Sequence, residues 1–264
     1  MRPVLKSSTM APIITLISDW RLRDPYLAMF KGRLLAALPE AQLLDITHHI
    51  DPFDIGQSAF VMKNSYLSFP EGSVHIMLTN TSASLKEPAV VVSVDNHYFV
   101  GVDNGVFSLM FAGKGPLAGR QLAEAGDMTS LQGIVSLAQS VVKGTLDEDT
   151  IEYTAFKRSL GAVPVHFIPQ KTIEGEIVYI DAAFNAVTNI PTQWFREAVG
   201  SKPFQMHIHS KTEWVVKRYC ESYTKSEDIF LTNNALQHLQ ISMYQGKVAL
   251  LANLSVGDKV EIEY

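Results

Sequence analysis

The feature that most constrains this chain is a strand-like run that ends abruptly in acid. Ile13-Ile14-Thr15-Leu16-Ile17 is a string of mostly β-branched residues and reads as a buried strand. It stops at Ser18-Asp19, and a second acid, Asp24, follows beside Pro25. Tyr26, Leu27, Met29, Phe30, Leu34, Leu35 and Leu38 then recur at helical spacing. An open α/β sheet presents polar groups at the carboxyl ends of its strands in this way and binds ligands there. An aspartate at the position of Asp19 can accept two hydrogen bonds from a ribose diol. Either Asp19 or Asp24 can equally serve as a helix cap.

The chain beyond repeats this alternation. Gln42 to Ile46 is a second short strand, and Asp51 is placed as the N-cap of a helix with Pro52 at its first position, running to about Tyr66. Val74 to Leu78 is a third strand and gives way to a small polar loop, Thr79 to Ser84. Ala89 to Val94 and Tyr98 to Val102 flank Asp95-Asn96-His97 as a hairpin, Asp103-Asn104-Gly105 turns tightly, and Leu131 to Lys143 has helical periodicity. Residues 12–155 therefore read as an α/β domain with a mostly parallel sheet. Pro164, Pro169 and mixed polarity mark residues 156–170 as a linker. Glu176 to Ile180, Phe204 to Ile208, Trp214 to Lys217, Ile229 to Leu231 and Lys259 to Glu263 are short strands between turn-forming clusters. They predict a smaller, all-β, barrel-like domain over 171–264.

Composition narrows the function classes. With 264 residues, 47% hydrophobic and 19% charged, the chain can bury a substantial core. A net charge of −5 with no basic stretch argues against a nucleic-acid partner. The single cysteine, Cys220, excludes an internal disulfide or a Cys-based zinc site and is expected to pack. Met1 to Pro12 lacks an apolar leader and no long apolar run follows, so a soluble, cytoplasmic protein without membrane contact is expected. Gly113 to Gly119 lacks the Gly-Lys-Ser/Thr ending of a phosphate loop and reads as a surface loop. His207 and His209 share one face of a strand but have no third ligand nearby, so no metal is expected. His48 and His49 follow a strand and point opposite ways, so at most one enters a site. Between Gly175 and Ile190 a strand ends at Asp181, with Asn185 and Asn189 in the following turn. An amide suits an adenine edge and a carboxylate an ammonium group, while an Asx turn explains the same residues.

These stretches, in order, resemble the S-adenosylmethionine hydroxide adenosyltransferases, relatives of fluorinase and chlorinase. The matches are Ser18-Asp19…Asp24-Pro25-Tyr26, Asp45-Ile46-Thr47-His48, Pro52-Phe53-Asp54, Phe69-Pro70-Glu71-Gly72-Ser73-Val74-His75, Val100-Gly101-Val102-Asp103-Asn104-Gly105 and Ile180-Asp181…Asn185…Thr188-Asn189-Ile190. The resemblance implies an α/β domain followed by a β-barrel domain, and a homotrimer that binds its small adenosyl ligand between neighbouring subunits. No cofactor is implied, since S-adenosylmethionine is itself substrate or ligand. By position, Asp19 would hold the ribose hydroxyls with Asp24 nearby, Phe53 would pack beside the sugar, Asp181 would meet the methionine amine and Asn185 the adenine. The family's water-orienting Asp, Arg and His fall on Asn80, on Glu87 or Pro88, and on Gln132. The implied reaction is attack of water at the ribose 5′ carbon, releasing adenosine and methionine. With the three positions changed, His48 or His75 is a candidate substitute base. The alternatives are a catalytically inactive adenosyl-binding protein and a halide-dependent adenosyltransferase.

Overall fold

The computed structural model describes residues 11–82, 84–159, 161 and 163–264. The chain divides into two compact units, residues 1–160 and 161–264.

In the first unit the elements are β1 (Ile13–Ile17), α1 (Tyr26–Ala37), β2 (Gln42–Thr47), α2 (Ile55–Lys63), β3 (Val74–Met77), β4 (Ala89–Val94), β5 (His97–Val102), α3 (Val106–Met110), β6 (Gly119–Leu122), α4 (Ser130–Lys143), α5 (Leu146–Asp149) and β7 (Thr150–Tyr153). The strands form one sheet in the order β2-β1-β3-β5-β4-β6-β7. Side chains alternate between its faces, as strand geometry demands. Ile14, Leu16, Val74, Ile76 and Val91 pack with Phe30 and Leu34 of α1 and Ile134 and Leu137 of α4. Ile17, Met77, Val90 and Val92 pack on the other side with Met62 of α2 and Phe107 of α3. Covering both faces explains why β1 and β4 are apolar along nearly their whole length.

The expected mostly parallel sheet is corrected here. The β2–β1, β1–β3 and β3–β5 pairings are parallel, but β5–β4, β4–β6 and β6–β7 are antiparallel. The reversal begins at a two-residue hairpin whose central residues, Asp95 and Asn96, have φ of 52° and 61°. Positive φ at both positions matches the right-handed twist of the flanking strands. β6 and β7 then extend this side of the sheet, β7 at its edge, from stretches without clear alternation. Asp51 and Pro52 also lie outside helix α2. Asp54 is its N-cap, accepting the Gln57 N–H at 2.8 Å, and the helix ends at Lys63 before a 3-10 turn at Tyr66–Ser68. Within the stretch read as a linker, the Phe156 ring packs edge-on against Tyr153 and the Lys157 N–H donates to Asp103.

The second unit comprises β8 (Val165–Phe167), β9 (Thr172–Ile180), β10 (Ala186–Pro191), α6 (Thr192–Ala198), β11 (Gln205–His209), β12 (Glu213–Val216), β13 (Tyr219–Cys220), β14 (Phe230–Asn233), β15 (His238–Ser242), α7 (Val248–Leu251) and β16 (Lys259–Glu263). Its strand order is β12-β11-β16-β9-β10-β15-β14-β13, with β8 also on β9. Only β13–β14 is a parallel pair among these. Val216 of β12 and Leu231 of β14, far apart in that order, share a core with Ile177, Ile208, Ile241 and Ile262. The sheet is therefore curled around a single apolar interior.

Candidate ligand site at the carboxyl ends of the parallel strands

Three chain segments converge on Asp19. Its Oδ2 accepts the Phe53 N–H at 2.9 Å and the Asn80 N–H at 3.1 Å. Phe53 and Asn80 have φ of 67° and 51°. A phenylalanine in the left-handed region is strained, and such strain persists only where surroundings impose it. Here the turned-in amide is the visible compensation, and it explains why α2 starts later than Pro52 suggests. The Asp19 carboxylate is thus anchored through one oxygen. Among the described residues no hydrogen bond is made to Oδ1. Neither Asp19 nor Asp24 caps α1, whose N-cap is Pro25 with no side-chain cap bond.

Asp19 and Asp24 line one open cavity of about 590 Å³, together with Trp20, Tyr26, Met29, Arg33, Ser82 and Ser84. That volume lies within the range of small-molecule sites. Trp20 is held edge-on against Phe30, with ring centroids 6.1 Å apart. Tyr26, Met29 and Arg33 fall at i, i+3 and i+7, one stripe of α1. Arg33 was overlooked in the sequence, although that spacing from Tyr26 could have placed it. Among the described residues it is the one cation on the cavity wall. Phe53 meets Asp19 through its backbone N–H, and the residue is 73% exposed.

The positions matched to the family's catalytic groups have other occupations. Gln132 closes the capping box of α4: its Oε1 accepts the Thr129 N–H at 2.8 Å and the Thr129 hydroxyl at 3.1 Å. Asn80 is exposed and meets Asp19 through its backbone. Glu87 lies 3.9 Å from the Lys157 ammonium, and its carbonyl accepts the Ser130 hydroxyl at 2.9 Å.

In the second unit Asp181 and Asn185 are brought together, but largely with each other. Asp181 Oδ1 accepts the Ala183 and Asn185 N–H groups at 2.9 and 2.8 Å, and Oδ2 accepts from Asn185 Nδ2 at 2.9 Å. The turn is an Asx-type turn. Phe184 within it has φ of 64°, and the Lys247 ammonium sits 4.9 Å from its ring centroid. Among the described residues no hydrogen bond is made to the Asn185 amide oxygen.

The two candidate substitute bases are buried. His75 lies at the interior of β3, its Nδ1 2.7 Å from Thr15 Oγ1 and its Nε2 3.0 Å from His97 Nδ1. Burial, reinforced by the neighbouring His97, pushes it down to about 3. His48 Nδ1 lies 2.7 Å from Ser18 Oγ. Among the described residues no group of three or more His, Cys, Asp or Glu lies close enough to hold a metal, and no helix is long and apolar enough to cross a membrane. His207 and His209 pair instead with Glu213 and Glu261, at 3.5 and 3.9 Å.

The first unit is thus an α/β ligand-binding unit, with its cavity where parallel strands end and an anchored carboxylate on the wall. Its family follows from comparison: the chain belongs to the SAM hydroxide adenosyltransferase family, matching the N-terminal domain over residues 14–140 and the C-terminal domain over 175–261. It is 24% identical to an (R)-S-adenosyl-L-methionine hydrolase of Methanocaldococcus jannaschii, over 96% of both chains. A fluorinase of Nocardia brasiliensis is 29% identical over 31% of this chain and 28% of its own. The fold is that of an uncharacterized conserved protein from Thermotoga maritima, with a TM-score of 0.82 and 20% identity over 95% of this chain and 100% of that one.

Proposed function

We propose that the protein binds S-adenosylmethionine and hydrolyses it to adenosine and methionine. The observation that carries this reading is the Asp19 carboxylate on a cavity wall, anchored through Oδ2 by two backbone amides and, among the described residues, without a hydrogen bond at Oδ1. A carboxylate so held can take both hydroxyls of a ribose without reorganising. Arg33 on the same wall suits the carboxylate of the amino-acid end. The roles of Phe53 beside the sugar, Asp181 toward the amine and Asn185 toward the adenine belong to the same reading.

In the reaction a water oxygen forms a bond to the ribose 5′ carbon while the carbon–sulfur bond breaks. The bonding pair leaves on sulfur as neutral methionine, and a proton passes to solvent. The sulfonium needs no acid, so alignment supplies much of the rate. Neither Asn80 nor Gln132 can accept the water proton at neutral pH, and base assistance is typically worth about 10²–10⁴-fold. Restoring the three groups together, Asn80→Asp, Gln132→His and Glu87→Arg, is expected to raise adenosine release at least about tenfold. The same change costs the α4 capping box, about 1 kcal/mol of stability. Chromatographic measurement of adenosine checks this; a variant no faster than the parent contradicts the placement of these positions at the reacting carbon. A second reading, an adenosyl-binding protein without turnover, is favoured by the commitment of Gln132 to its cap.

The reading includes assembly as a homotrimer. Tyr26, Met29 and Leu35 of α1 are exposed, at 60%, 54% and 44%, so this helix is apolar on its outer side as well as toward the core. A face of that kind usually has a partner. A sedimentation mass of three chains is the expected result, and a monomer contradicts it.

A further inference from the structure

Behind the cavity lies a buried polar chain that the proposed reaction does not use. Ser18 Oγ is fully buried, accepts the Trp20 N–H at 3.3 Å and lies 2.7 Å from His48 Nδ1. On the far side of the ring, His48 Nε2 is 3.0 Å from Asp45 Oδ1, which sits to one side of the ring N–H direction. Asp45 Oδ2 in turn accepts from Lys31 Nζ at 2.6 Å. The His48 carbonyl accepts the Arg21 N–H at 2.8 Å, and the Thr47 carbonyl accepts the Ser18 N–H at 3.1 Å. The turn that carries Asp19 and Trp20 is therefore fastened to the end of β2 at both sides.

The hydrogen-bond inventory favours one tautomer of His48. Ser18 Oγ accepts the Trp20 N–H at one lone pair, and among the described residues the acceptor within reach of its own proton is His48 Nδ1. That arrangement has Nδ1 unprotonated and the ring hydrogen on Nε2, on the side of the ring nearer Asp45. A proton added at Nδ1 reverses the Ser18 bond and leaves the Ser18 hydroxyl hydrogen buried without an acceptor among the described residues.

We propose that His48 is a positioning residue for the ligand site. Through Ser18 it holds the turn presenting Asp19 and Trp20, and it loosens that turn when its ring takes up a proton. The charges acting on the ring are Asp45 and His49 of the same segment and Lys31 of α1. Burial lowers its basicity below the ordinary histidine range, with Asp45 opposing and Lys31 and His49 assisting. The neutral, turn-holding form is thus the resting state near neutrality, and acid below the ordinary histidine range populates the other. The binding readout rests on the adenosyl reading above.

The test uses the full chain with adenosine as probe, because adenosine carries no group that titrates between about pH 5 and 7.5. Wild-type affinity is expected to fall at least about threefold as the His48 ring takes up its proton, with the same midpoint as the ring. In His48→Gln, which cannot titrate, affinity should not vary with pH. Without ligand, the Trp20 amide resonance should shift with the same midpoint as the His48 ring in the wild type. In Ser18→Ala the ring should still titrate while the Trp20 amide no longer follows it. A Trp20 amide indifferent to the ring titration overturns the proposal, as does pH dependence retained in His48→Gln. Absence of adenosine binding at pH 7.5 overturns the adenosyl reading instead, and the ligand-free titration still decides for or against His48.

Discussion

Asp19→Ala is expected to weaken S-adenosylmethionine binding by about 10²–10⁴-fold. The estimate takes two hydrogen bonds from the ribose hydroxyls to a carboxylate, each worth about 1.5–3 kcal/mol, and a factor of ten for every 1.4 kcal/mol. Ground-state affinity measured by calorimetry reads it directly. Asp19→Asn keeps an oxygen for the Phe53 and Asn80 amides but lacks the charge, so its loss should be smaller than that of alanine. The fold should tolerate either change. Phe53 and Asn80 are exposed, so water can take over their freed amides at a cost of about 1 kcal/mol. Affinity unchanged in Asp19→Ala, with the fold intact, would remove this residue from the site.

The second large effect concerns stability in acid. His75 is fully buried between Thr15, His97 and the Phe99 ring, which stacks on it at 5.0 Å. Its folded value of about 3 lies well below the 6.5 of an unfolded histidine. Between those values the unfolded chain binds the extra proton, so stability rises with pH. The contribution is complete above about pH 6.5 and is lost as pH falls toward 3, at up to about 1.4 kcal/mol per unit. From pH 7 to pH 5 the loss from His75 alone is about 2 kcal/mol. Burial lowers His97 and His48 as well, so both act in the same direction. Urea denaturation at the two pH values checks this, and equal midpoints would contradict it. His75→Phe removes the titrating group, and its stability should depend less on pH than that of the wild type. Being sealed inside the sheet, His75 cannot serve as the base for water.

The parts of the fold legible in the sequence are those whose causes are local. The strand, acidic turn and helix of residues 13–37 rest on a switch in hydrophobic period that lies within one short window. Lys259–Glu263 alternates buried and exposed residues and reads as a half-covered strand. The antiparallel half of the first sheet has no such marker. Gly119–Leu122 and Thr150–Tyr153 are four residues each, and they become strands by pairing with β4 and with one another. Helix α2 begins beyond Pro52 because the Phe53 amide serves Asp19, 34 residues away, which no local pattern encodes.

The site divides in the same way. Asp19 stands out because it follows a buried strand and Asp24 because it stands in the turn before α1, and both line the cavity. The spacing Thr129-x-x-Gln132 is a capping-box signature open to inspection, yet position within the family drew the reading toward catalysis. The Ser18–His48 contact joins residues 30 apart on neighbouring parallel strands, so only the register of β1 on β2 reveals it.

The measurement that tests the proposed activity most directly is incubation of the protein with S-adenosylmethionine in ¹⁸O-labelled water, followed by mass analysis of the products. Attack of water at the 5′ carbon predicts methionine and an adenosine carrying a single ¹⁸O at its 5′ oxygen, both formed far more slowly by Asp19→Ala at the same substrate concentration. Recovery of intact S-adenosylmethionine, or adenosine without the label, would contradict it.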